Sequence, residues 1–176
     1  MIAALDTPQR SFNSDRPGQL RRVPRIASRH SLANVLRGIR NALAKRLELD
    51  PKNVNLWIRL ANLYRTAKEN ASQSDAWKKV MDLTAADDPN HISAMVQLGK
   101  LAYLESNYDK SVDRLERAAA QCPADDNRTL KSVKYYLGMA LMKLDRRSAA
   151  LKAFSDVYTM DPNYKDVRDQ LRESLE

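Results

Sequence analysis

The chain has 176 residues, of which 43% are hydrophobic, 6% aromatic and 30% charged, with only four glycines. That is long enough for one domain with a real core, and too apolar for disorder throughout. It is also too poor in β-branched runs to favour sheet. The formal net charge is +8, unevenly placed: residues 1–50 carry ten of the 30 Lys and Arg but four of the 22 acids. The remainder of the chain, 51–176, is left with +2.

Residues 1–27 show no sustained hydrophobic period; Arg and Pro are prominent there, with scattered Ser, Asn and Gly. They read as an extended basic arm carrying Arg21, Arg22 and Arg25, with Arg29 just beyond. Such an arm can meet nucleic acid, an anionic membrane or an acidic protein, or serve only as a solvated tail. Because aromatics for base stacking are almost lacking there, any nucleic-acid contact would be directed at the backbone and sensitive to salt. Arg and Ser also mark organellar transit peptides, so import is an open alternative. Against it, Asp6 and Asp15 are acidic, and Pro8, Pro17 and Pro24 interrupt any amphipathic helix. The single cysteine, Cys122, allows no intramolecular disulfide, which suits a reducing, cytoplasmic setting. No apolar run reaches the length of a membrane span.

From Leu32 the pattern changes. Leu32, Val35, Leu36, Ile39, Leu43 and Leu47 recur at steps of three and four, the stripe of an amphipathic helix over residues 31–49. Asp50-Pro51 ends it. Its opposite face carries Arg37, Arg40, Lys45 and Arg46, which suits either the outside of a packed helix or an anionic surface. Four prolines, Pro51, Pro89, Pro123 and Pro162, punctuate the helical segments at spacings of 38, 34 and 39 residues.

A period near 34 residues is that of a two-helix repeat. The run Met95, Leu98, Gly99, Ala102, Ser111, Leu115, Ala118, Pro123 resembles the tetratricopeptide repeat (TPR). The run Leu137, Gly138, Leu141, Ala150, Phe154, Val157, Pro162 resembles it too, with Lys134 standing where a bulky apolar residue is usual. A third match begins with Trp57, Leu60, Ala61 and Tyr64. Its second helix is expected about three residues late, through Ala76, Val80 and Leu83 to Pro89, after an extra loop around Asn70–Ser74. About five additional residues, Ala124 to Leu130, place the start of the next unit near Asn127 or Thr129. The helix at 31–49 resembles the second half of an incomplete unit. Val167, Leu171 and Leu175 mark a capping helix from about residue 164.

The resemblance implies an all-α, right-handed α-solenoid of antiparallel helix pairs over residues 28–176. It also implies non-catalytic binding of a protein partner, as a peptide or helix, in a concave groove. The family's groove positions fall on Asn55, Ile58, Asn62 and Arg65, then Ser93, Val96, Lys100 and Tyr103, then Ser132, Tyr135, Met139 and Met142. Met139 and Met142 suit either adaptable contact with a ligand or packing under the capping helix. One TPR subclass clamps a terminal carboxylate with Lys, Asn and Arg. Here only Asn62 matches, and Val96, Gln97 and Tyr136 do not. The implied role is an adaptor, scaffold or assembly factor. The alternatives are a structural subunit of a large complex, with or without RNA, anchored by the arm, and a secretion-type chaperone, a group generally acidic.

Motifs for chemistry are lacking. His30 and His91 fall in no metal-ligand spacing. Asp87-Asp88 and Asp125-Asp126 adjoin the punctuating prolines, where Asp caps helices and forms turns. Gly18, Gly38, Gly99 and Gly138 are scattered and build no phosphate loop. The sequence therefore predicts no enzyme, no metal and no cofactor.

Overall fold

The structure is a computed structural model that describes residues 29–175. The expected arm, residues 1–27 with Arg21, Arg22 and Arg25, lies outside the described residues. Eight helices follow one another among them: α1 (Arg29–Leu49), α2 (Val54–Ala67), α3 (Asn70–Asp82), α4 (Pro89–Leu104), α5 (Tyr108–Gln121), α6 (Asn127–Lys143), α7 (Arg147–Met160) and α8 (Val167–Leu175). Each packs on its sequence neighbour, and α4 also touches α6. The architecture is an all-α solenoid in which α2–α3, α4–α5 and α6–α7 are the repeated pairs.

The same turn joins the two helices of each pair. Lys68, Ser106 and Asp145 adopt left-handed φ values of 60°, 59° and 56°. The next amide in each case reaches back to Tyr64, Ala102 or Leu141, at 2.9, 2.8 and 2.9 Å. This is a Schellman closure, which satisfies the carbonyls a helix end would orphan. Because the turn is identical in all three units, the loop expected around Asn70–Ser74 does not form. Those residues open α3 instead. Gln73 stands twelve residues after Ala61, as Ser111 stands after Gly99 and Ala150 after Gly138. It is buried, as they are, and Trp77 and Val80 follow in register. The second helix of the first unit is therefore not late. Its extra length lies after α3, and Pro89 does not end a helix but opens α4 behind the Asp88 cap. Proline is at home at the first helical position, where its missing N–H costs nothing.

Small residues set the spacing within each pair. A Cβ on Gly99 would lie 2.7 Å from Leu115 Cγ, and one on Gly138 2.7 Å from Phe154 Cε1. The buried Ser111 hydroxyl donates to the Gly99 carbonyl at 2.9 Å, tying α5 to α4. Lys134, the apparent misfit, pairs with Asp156 of α7, so its ammonium is neutralised at the edge of the pair. Asn127 opens α6 behind the Asp126 cap, as the additional residues before it imply.

The stripe of α1 is fully buried only at its C-terminal end. Leu43 and Leu47 pack on Leu56 and Leu60 of α2. Leu32, Val35 and Ile39 remain exposed, and Leu36, half-buried, faces Leu63, Tyr64 and Ala67 of α2 across an open cleft. At the other end, α8 begins at Val167, which is wholly buried against the α6–α7 core.

Candidate functional site

Helices α2, α4 and α6 come first in their units and carry the predicted groove residues. The centre of that side is built by α4 and α6. Tyr103 of α4 meets Tyr136 of α6 edge to face, with centroids 6.3 Å apart. Tyr136 meets Tyr135 at 5.5 Å, and Tyr135 meets Tyr164, in the turn before α8, at 5.7 Å. Edge-to-face geometry of this kind is the favoured one for aromatic pairs. Tyr135 is buried, and its hydroxyl donates to Asp166. Burial and that hydrogen bond push the phenol well above its ordinary range, and the same bond holds the Asp166 carboxyl low.

Positive charge converges on these rings. Lys100 Nζ lies 4.9 Å from the Tyr136 centroid. Lys165, at the positive φ of 50°, lays its ammonium 4.0 Å from the Tyr136 centroid and 4.1 Å from that of Tyr135. Burial chiefly, then the charges of Lys165 and Arg65, lower the pKa of Lys100 to about 8. Lys131 is neutralised by Asp161 at 2.8 Å. Among the described residues, Arg65, Lys100, Arg128 and Lys165 make no ion pair.

Two clefts flank this centre. One, of about 400 Å³, is lined by Ser93, Val96, Gln97, Lys100, Arg128, Lys131 and Tyr164 among others. The other, of about 360 Å³, is lined by Arg65, Lys68, Gln73, Gln97, Lys100 and Tyr136 among others. Gln97 and Lys100 belong to both, so the clefts meet along α4.

The predicted residues are therefore brought together only in part. Lys100 and Tyr103 lie at the centre, and Arg65 lines a cleft. Val96 lines a cleft although largely buried in the core with Met95 and Leu115. Asn55 and Asn62 are exposed farther along α2, and Ile58 packs half-buried on the core beneath it. Met139 packs against the α6–α7 core, and Met142 Sδ accepts from Ser174 of α8 at 3.5 Å. Arg29 is the first residue of α1, remote in sequence from these elements. Sequence reasoning missed Tyr136 and Lys165 as contributors. The adjacent tyrosines 135 and 136 were a visible signal, whereas nothing in the sequence marks Lys165 as lying over them. Among the described residues there is no group of metal-binding side chains, and no helix is long and apolar enough to cross a membrane.

No family model matches the sequence, and no curated protein matches it. Solved structures do resemble it. The crystal structure of MamA superposes with a TM-score of 0.68 at 19% identity, covering 85% of this chain and 82% of that one. YrrB, a TPR protein with an unusual peptide-binding site, gives 0.64 at 21%, covering 76% and 64%. The first TPR of Spaghetti (RPAP3), bound to an HSP90 peptide, gives 0.59 at 18%, covering 69% and 89%. The chain has the tetratricopeptide-repeat fold.

Proposed function

We propose that this repeat array is a non-catalytic protein-interaction adaptor that holds a peptide or helix of its partner against α4 and α6. The observation that carries this reading is the junction of two clefts at Gln97 and Lys100, one lined by Tyr164 and the other by Tyr136, against which Tyr103 packs. Concave surfaces of this size with aromatic walls and a few polar groups are where ligands bind. Tyrosine supplies large contact area at small entropic cost. Two of the similar structures bear on it, being described with a peptide-binding site or with a bound peptide.

The test is capture of partner proteins from lysate by the wild type and by the double variant Lys100→Glu, Tyr103→Ala. Helical content by circular dichroism should be unchanged, while partner recovery falls at least tenfold. Full recovery by a folded double variant would sink the groove reading.

A further inference from the structure

We propose that the ligand of this groove is an acidic peptide, and that Lys165 and Lys100 together hold its carboxylates. The inference rests on the reading of the groove as a peptide site and assigns that site its chemistry.

Lys165 belongs to no repeat helix. It lies in the turn between α7 and α8, yet its ammonium sits over the rings of Tyr135 and Tyr136 on α6. Its neighbours fix it there. Tyr164 stacks on Tyr135, Asp166 accepts from the Tyr135 hydroxyl, and Val167 is wholly buried. Between these anchors the residue takes a left-handed φ of 50°, unfavourable for any side chain except glycine's hydrogen. The fold thus holds this side chain in place at a conformational cost.

What it approaches is another cation. Lys100 Nζ lies over the same Tyr136 ring, and Arg65 is near enough to oppose its charge. Two ammonium groups around one ring repel each other unless an anion joins them. Of the acids nearby, Asp161 is paired with Lys131, while Asp166 accepts from Tyr135 and offsets part of the Lys165 charge, leaving Lys100 without an anionic partner. A carboxylate entering between Lys100 and Lys165 would offset their repulsion, and would gain charge-assisted hydrogen bonds beside the partly buried Lys100. The geometry favours a peptide over single-stranded nucleic acid. Sequence-tolerant binding of bases needs open aromatic faces, and here lysine ammonium groups already lie over the Tyr135 and Tyr136 rings.

The test uses an array of short random peptides printed in pairs, one member bearing Asp and Glu, its twin Asn and Gln at the same positions. It is probed with full-length protein, with Lys100→Gln and with Lys165→Gly, alongside labelled oligouridine RNA in solution. Lys165→Gly removes the ammonium while relieving the backbone, so its melting temperature should not fall. Acidic members should bind about threefold to tenfold more tightly than their twins, and both variants should erase that preference. Twins that bind equally well overturn this inference and leave the peptide-groove reading standing. An acid preference retained in Lys165→Gly overturns the role of Lys165. Binding of oligouridine with no peptide retained, or binding of neither, overturns both readings.

Discussion

Gly138 has no room for a methyl group, because a Cβ there would lie 2.7 to 2.9 Å from three atoms of the Phe154 ring. Phe154 is itself wholly buried, so the ring cannot simply move aside. Gly138→Ala should lower unfolding free energy by about 1–3 kcal/mol, measured by urea denaturation. The opposite sign holds at the turns. Lys68 and Ser106 occupy left-handed backbone and are exposed, so Lys68→Gly and Ser106→Gly should each stabilise by about 1 kcal/mol. Lys100 supplies a pH signature. Its folded pKa is about 8, below the unfolded value of about 10.4. Between those two values the unfolded chain binds more protons, so this residue makes stability rise with pH across that window. Below it, the repulsion and desolvation of the charged form are fully felt. The difference in stability between wild type and Lys100→Gln should therefore shift in favour of the wild type as pH rises from about 8 to 10. A pH-independent difference would contradict the assigned environment.

At the scale of elements, the apolar stripes and small residues were readable because they answer to one cause, close approach of two helices. Gly99, Gly138, Ser111 and Ala150 mark it directly. The register of α3 was not readable, because a glutamine occupies the small position: Gln73 is buried where Ser or Ala would have signalled the match. Ala76, one turn along, then offered itself as a false substitute. The stripe of α1 misled differently. Its period is helical throughout, but burial depends on what lies alongside, and only Leu43 and Leu47 are buried against α2, with Leu36 left at an open cleft. Lys165 was illegible for a third reason. Its place over the tyrosines follows from a positive φ and from anchors on α6, neither of which has a local sequence signal. The capping element makes a prediction of its own. Val167 and Ser174 are its buried residues, so Val167→Asp should detach α8 and loosen the α6–α7 pair first, seen as faster amide exchange there than in α2–α3.

For the whole molecule, stacking neighbouring units spreads the core along the array in successive clusters, from Leu43 and Leu56 at one end to Phe154 and Val167 at the other. That arrangement leaves two long sides. One carries the joined clefts at Lys100. The other, between α3 and α5, has its own cleft lined by Lys78, Asp82, Lys110 and Arg117 among others. The functional reading claims the first side and not the second. Site-specific photo-crosslinking separates them most directly, with benzoylphenylalanine placed at Ser93, exposed in the groove cleft, or at Lys78, exposed on the far side. The account predicts covalent partner adducts from the Ser93 position and few from Lys78. Adducts formed from Lys78 alone would contradict it.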